Sequence, residues 1–485
     1  MRYIPHTEED VARMLRVVGV PSVEALFAHI PARLRLQRPL AIEPLDEAAL
    51  LQHMEELAAL SLPAISGPVR LGSAGAAAPQ PVRSFLGAGL VPHYVPAAVD
   101  LLLLRAEWYT AYTPYQPEIS QGTLQAIFEF QTIVAELFGE PVRPGAPAPF
   151  VANASLYDGA SALAEAVLMA RRLTGRPAAL LAGAIHPQYA ASVAGYLRGL
   201  SDGDPVLFQS GFAPDGRLDA AELAARLNEL GETLACVVVQ SPNYLGVVED
   251  IRPVAQAARA RGALLVAVCT EPLALGVLAP PGVLGADIVV GEGLGLAMPP
   301  SLGGPGVGLF AARSEYVRQM PGRLVGQTVD QAGRRGYCLT LSTREQHIRR
   351  DKATSNICTN QGLVALAFAI HLCLLGKQGF QALARLNLSL AQYARQRLGT
   401  LRGFSLAAPG PTFNELAVRV RGGRAAEVVD RLAERGLLAG VPLDRPGFAL
   451  PALPGAEGVL LLAVSERHRR EDIDLLAQAL DEVCP

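Results

Sequence analysis

The sequence predicts an α/β protein: a large domain on a mostly parallel sheet, then a small α+β domain. Three observations carry that expectation. From about residue 150, short apolar runs alternate with amphipathic helical stretches, the signature of βαβ units. After about residue 375 this alternation gives way to one long helix and a mixture of strands and helices. Half of the 485 residues are apolar and 18% are charged, which suits a large buried core and excludes a disordered chain.

At the N-terminus, residues 7–19 read as a helix. Thr7 can cap it, Asp10 lies three residues on, and Val11, Met14, Leu15 and Val18 share a face. Residues 61–83 and 140–149 are rich in Pro, Gly and Ala and read as loops. The expected strands of the large sheet are Ala178–Ala182, Pro205–Gln209, Ala235–Gln240, Ala263–Val268, Ala286–Val290 and Val307–Ala311. The helices among them include Gly159–Leu173, Ala220–Leu230 and Val254–Ala260. A binding site in such a sheet lies at the carboxyl ends of its strands. The apolar run Gly362–Gly376 is too short to span a bilayer and reads as a buried helix. Beyond it come a helix at Gly379–Leu398, strands at Phe413–Val420 and Gly458–Val464, and helices at Ala425–Arg435 and Arg470–Val483. The expected divisions are an N-terminal helical arm and linker (1–84), a large α/β domain (85–375) and a small α+β domain (376–485).

The net charge of −3, from 42 basic and 45 acidic residues, supplies no cationic stripe for nucleic acid. Arg349–Arg350 and Arg467–Arg470 read as solvated helix faces. None of the six cysteines stands in a CxxC or at metal-ligand spacing, so free thiols in the cytoplasm, with no metal, are expected. The first residues, with polar His6 to Asp10, carry no apolar leader stretch.

Four stretches carry candidate chemistry. Residues 107–122 gather three tyrosines, two threonines and two prolines and lead into a helix at Ser120, a good capping residue. Residues 151–166 run from a loop into a small-residue helix whose N-terminus suits an anion, although Asp158 already occupies that field. Glycines cluster at 291–295 and 303–308, but no GxGxxG follows the first strand and no P-loop occurs. Residues 352–361 set Lys352, Thr354, Ser355 and Asn356 before an apolar helix; this is ordinary capping or an anion site.

Taken in order, these stretches resemble the P-protein of glycine decarboxylase in its shorter, first-subunit form. The matching pieces are YIPHTEED (3–10), FLGAGLVPHYVPA (85–97), YTAYTPYQPEISQGTLQAIFEFQT (109–132), NASLYDGASALAEA (153–166), VVVQSPNYLGVVEDI (237–251), GGPGVG (303–308), GRLVGQTVD (322–330) and KATSNICTNQ (352–361). The resemblance implies the fold of the large pyridoxal-phosphate enzymes akin to aspartate aminotransferase. It also implies a glycine dehydrogenase (decarboxylating) activity in the glycine cleavage system, releasing CO2 from glycine and passing the aminomethyl group to the lipoyl arm of the H-protein.

The same resemblance places the family's Schiff-base lysine eleven positions before Pro305, at Leu294, where first subunits usually carry Gln. Leucine cannot form an imine. Pyridoxal phosphate is therefore expected on the lysine of a partner, subunit 2, in a cytoplasmic heterotetramer. Glu271 is the carboxylate nearest the usual pyridinium partner, displaced and one methylene longer. Tyr112, Thr113, Tyr115, Gln116, Ser120 and Gln121 are expected to border the partner's pocket, and Lys352, Thr354, Ser355 and Asn356 to face its cofactor phosphate. Two alternatives stand beside this reading. One is a non-catalytic paralogue acting as scaffold or regulatory subunit; the other is a self-sufficient enzyme using Lys352. A surface pair of Lys352 with Asp351 or Glu345 would remove its anion-binding role.

Overall fold

The computed structural model describes residues 5–61, 82–110, 112–141, 148–200, 206–450 and 452–484. The chain divides into two compact units, Met1–Ser61 and Leu62–Pro485.

In the first unit, the helix Glu8–Val18 begins with the reciprocal cap the sequence suggested. Thr7 accepts from the Asp10 amide at 3.2 Å, and Asp10 accepts from the Thr7 amide at 3.0 Å. Its second α-helix, Glu47–Ala59, is capped by Asp46. Neither helix buries a residue.

The second unit is built on a seven-stranded sheet. Its strands are β1 (Phe150–Ala152), β2 (Ala178–Ala182), β3 (Leu207–Ser210), β4 (Leu234–Gln240), β5 (Leu264–Cys269), β6 (Ile288–Glu292) and β7 (Gly308–Arg313). They lie in the order β1-β7-β6-β5-β4-β2-β3. The strands β3, β2, β4, β5 and β6 run parallel, as the repeating pattern implies. β7 was expected as one more member of that series but pairs antiparallel with β6, and β1 with β7. The glycine-rich turn at 293–307 carries no crossover helix long enough to return the chain in parallel.

Alternate residues of each strand feed two separate cores, the expected result for a sheet covered on both faces. Leu180, Val237 and Val239 enter one core; Leu181, Cys236 and Val238 enter the other.

A four-stranded antiparallel sheet follows, ordered Phe404–Leu406, Glu415–Val420, Val459–Ala463 and Val441–Pro442. Helices Ala425–Ala433 and Arg470–Val483 share its core. Part of the Pro-rich segment expected at 61–83 lies outside the described residues; its end is a strand rather than loop, since Arg83–Ser84 pairs with Leu437–Leu438. The guanidinium of Arg83 reaches the Asp472 carboxylate at 2.7 Å, with both side chains buried. The segment 140–149 likewise falls partly outside the described residues, at 142–147.

Gly362–Gly399 is one 38-residue helix interrupted at Gly376 (φ 59°, ψ 180°), a left-handed φ that glycine adopts without a Cβ clash. By length and composition it could cross a membrane. Its first half, however, buries Val364, Ala365 and Phe368 in the sheet's core, and His371 bonds the Leu296 carbonyl at 2.7 Å.

Candidate active site

The four sequence stretches converge beside β6 and β7. At their centre the segment Asn153–Asp158 leads into the helix Gly159–Thr174. Asn153 holds the loop shape, accepting from the Ser155 amide and donating to the Pro321 carbonyl. Ser155 is buried with φ 101°, a conformation uncommon outside glycine, and its hydroxyl accepts from the Gln361 amide at 3.1 Å. Tyr157 receives the Cys358 amide at 3.2 Å, and Asn360 donates to the Ala154 carbonyl at 2.7 Å. The 153–166 and 352–361 stretches are thus stitched together through backbone groups.

The helix N-terminus that could cradle a phosphate is already filled. Asp158 caps the Ser161 amide at 2.8 Å. Glu292, at the carboxyl end of β6, accepts from the amides of Gly159 (3.0 Å), Leu294 (2.9 Å) and Val307 (2.9 Å). Burial raises the pKa of Glu292; the three amide bonds pull it back down, and the nearby Asp158 adds to the rise. There is no slack around the carboxylate. A Cβ on Gly159 would lie 2.2 Å from the Tyr189 hydroxyl and 3.1 Å from the Gly291 carbonyl carbon. Leu294 is 3% exposed, in the short helix Leu294–Ala297. With a carboxylate in the anion cradle and a leucine where the resemblance places the lysine, this chain's own pocket does not fit pyridoxal phosphate.

Glu271 is occupied as well. It follows β5, and its carboxylate meets His93 Nε2 at 3.1 Å and the Asn414 amide at 3.1 Å. The other ring nitrogen of His93 lies 3.0 Å from Glu466. Burial lowers the pKa of His93, but the flanking Glu271 and Glu466 outweigh it and push the value up to about 10. Glu466 is driven down to about 2: burial would raise it, and the bonds from His93, Tyr94 and Asn387 prevail. The imidazolium thereby joins the 85–95 segment, the end of β5 and the chain that follows the small sheet's strand Val459–Ala463. Sequence reading missed this group, and it missed Glu292, which it took only as part of a glycine-rich turn. The available signal was a carboxylate between two glycines at the end of a strand.

The tyrosine segment splits into an inward and an outward set. Tyr115 is half-buried; its hydroxyl donates to Asn360 at 2.6 Å and lies 3.1 Å from the Thr359 hydroxyl, with the Arg323 guanidinium over its ring. Gln121 donates to the carbonyls of Pro117 and Tyr337 and accepts from the Tyr337 amide, bracing the hairpin Leu324–Val329/Arg335–Thr340. Ser120 is buried at the N-cap position of Gln121–Phe138, but its hydroxyl makes no capping bond, contrary to the expectation from its residue type. Thr113 is half-buried. Gln116 is exposed, and Tyr112 is 86% exposed.

The 352–356 segment splits in the same way. Lys352 and Asn356 are exposed. Lys352 and Thr354 line an open cleft of about 780 Å³ together with Arg349, which is therefore not merely a solvated helix face. Ser355 points inward instead: its hydroxyl accepts from the Ile357 amide at 3.1 Å and lies by the carboxyl of Glu165, whose pKa burial raises. A carboxyl in that position disfavours a phosphate at Ser355. Lys352 forms no ion pair among the described residues, and Glu345 is held by Arg323, so the surface-pair alternative does not form.

Comparison with known proteins finds relatives along nearly the whole chain. Residues 1–480 fit the model of the glycine cleavage system P-protein family. A protein of Sorangium cellulosum named "Probable glycine dehydrogenase (decarboxylating) subunit 1" is 51% identical over 488 residues, covering 100% of each chain. A crystal structure of glycine decarboxylase (P-protein) of the glycine cleavage system, in inhibitor-bound form, is 44% identical with a TM-score of 0.80 and 100% coverage of both chains. The alanine–glyoxylate aminotransferase of Nostoc sp. is 17% identical with a TM-score of 0.55, covering 84% of this chain and 97% of its own; it shares the fold, which is that of the pyridoxal-phosphate aminotransferases. Matched from end to end in sequence and in fold, the chain belongs to the glycine cleavage system P-protein family.

Proposed function

We propose that this chain is the lysine-lacking first subunit of a two-subunit glycine dehydrogenase (decarboxylating), and that a second, lysine-bearing subunit holds pyridoxal phosphate beside it. The observation that carries the reading is the Glu292 carboxylate on the amides of Gly159, Leu294 and Val307, which closes this chain's own pocket. The exposed Tyr112, Gln116, Lys352 and Asn356 are the groups left for a partner's site.

When bound, the cofactor supplies an electron sink for the loss of CO2 from glycine. This chain's residues bind, orient and shield. Lys352 brings a positive charge and Thr354 a hydroxyl donor towards the partner's cofactor phosphate, with the exposed Asn356 amide beside them. Tyr112, Thr113 and Gln116 border the pocket and exclude water from it. Tyr115, gripped by Asn360, Thr359 and Arg323, holds the tyrosine segment and the 352–361 segment in one register. Ser120, Gln121 and Ser355 position these segments rather than touch the ligand. The aminomethyl group then leaves on the lipoyl arm of the H-protein. Similarity along the full length of a named enzyme subunit favours this role over a scaffold.

Co-expression with a lysine-bearing partner tests the reading through glycine–bicarbonate carbon exchange. The complex should exchange carbon, and Lys352→Ala should weaken its cofactor retention about tenfold or more, the loss of one charge-assisted bond of roughly 1.5–3 kcal/mol. A complex that forms but neither exchanges carbon nor binds the cofactor would refute it.

A further inference from the structure

The cleft that contains Lys352 and Thr354 holds more charge than their assigned role requires. Five of its eleven lining residues are cationic, Arg172, Arg318, Arg344, Arg349 and Lys352, and its described lining has no carboxylate. In a chain with a net charge of −3 that concentration is local rather than a reflection of composition.

The cations differ in how they are held. Arg344 is buried and donates only to backbone, to the carbonyls of Leu341, Met320 and Gly322. Arg172 donates to the Gln319 carbonyl at 3.2 Å. Carbonyl oxygens orient these two guanidinium groups without cancelling their charge, although Arg172 is exposed and Glu165 lies near it, as Glu345 lies near Arg344. Arg318, Arg349 and Lys352 are exposed at the rim and form no ion pair among the described residues. The Thr354 hydroxyl, on the same wall, has no hydrogen-bond partner there either.

We infer that this cleft is a binding site for a phosphate-type polyanion on a small molecule. One buried guanidinium, Arg344, with the exposed cations Arg172, Arg318, Arg349 and Lys352 around it matches the paired oxygens of phosphate groups. The volume of about 780 Å³ is that of a small-molecule site rather than a flat protein-docking face. Two sources share this chemistry: a free phosphorylated molecule, and the phosphate of the cofactor held by the partner. Only the second source rests on the function proposed above.

The test is calorimetric titration of the full chain with inorganic pyrophosphate, with NaCl matching ionic strength throughout. Saturable binding at one site is expected, weakened at least tenfold by Arg318→Ala/Arg349→Ala. Neither residue bonds to the core, so the variant should unfold at the parent's temperature. Binding no stronger than chloride screening, or unmoved by the double substitution, overturns the inference. The same substitutions in the partner complex separate the sources. Reduced pyridoxal-phosphate retention identifies the partner's cofactor as the anion; unchanged retention with weakened pyrophosphate binding identifies a free phosphoanion. Failure of the proposed function would look different, with pyrophosphate binding intact and no carbon exchange in the complex.

Discussion

Two regions of the molecule use their polar groups in opposite ways. Around Glu292, Leu294 and Gly159 backbone donors are spent inside the chain: the Glu292 carboxylate takes three amides and Asp158 takes that of Ser161. Along Tyr112, Gln116, Lys352 and Asn356 polar side chains stand in solvent, on segments that are nonetheless pinned by Tyr115, Gln121 and Asn360. On the function proposed above, a cofactor fold loses its cofactor by satisfying its own anion cradle. The segments around that cradle stay rigid, and their outward side chains remain available to another subunit. Substitutions in the first region should therefore register in stability, and substitutions in the second in the behaviour of the complex.

The largest expected effect is at the buried triad next to the sealed pocket. His93→Gln leaves Glu271 and Glu466 facing each other without a cation and should cost roughly 3–5 kcal/mol in urea unfolding. The effect carries a pH signature. The folded-state pKa of His93, about 10, lies above its ordinary value of 6.5. The stabilisation is therefore complete below about pH 6.5 and is lost as pH rises through about 10. The gap between parent and variant should narrow over that window; a gap that stays constant would mean that His93 contributes only packing.

Glu292→Ala comes next. It strands three amides at once and should lower stability by about 2–4 kcal/mol, a few charge-assisted bonds less the cost of burying the carboxylate. Formate at high concentration should restore part of the lost melting temperature, because the cradle is shaped for a carboxylate. No destabilisation would show that the cradle relaxes and that the seal is incidental.

Smaller effects belong to the second region. Tyr115→Phe removes a neutral hydroxyl from Asn360 and Thr359 and should cost about 0.5–1.5 kcal/mol, with a fall in complex activity from loss of register. Tyr112→Ala should change the stability of the chain by less than about 0.5 kcal/mol while reducing exchange by the assembled complex. If Tyr112→Ala instead dissociates the complex, the residue builds interface rather than pocket.

Much of the sheet and its covering helices was legible in sequence because their signals are local. Ala178–Ala182 and Ala220–Leu230 match their expected bounds, where apolar period and turn residues agree. The hairpin Leu324–Val329/Arg335–Thr340 escaped, since most of its side chains are half or fully exposed and no apolar alternation marks it. The site was legible in part. The four stretches do meet, but which side chain turns inward depends on contacts far apart in the chain, as between Tyr115 and Asn360 or His93 and Glu466. Ser355 and Lys352 are three residues apart and look equivalent in sequence. The buried carboxyl of Glu165, carried on another helix, separates them.

The central claim is that this chain cannot hold the cofactor covalently and needs a lysine from elsewhere. Borohydride reduction in the presence of pyridoxal phosphate, followed by peptide mass analysis, tests it on the purified chain and on the complex with the lysine-bearing partner. The account predicts no stoichiometric adduct on this chain in either sample and one adduct per partner subunit in the complex. A stoichiometric reduced adduct on Lys352 or Lys377 of the isolated chain would contradict it.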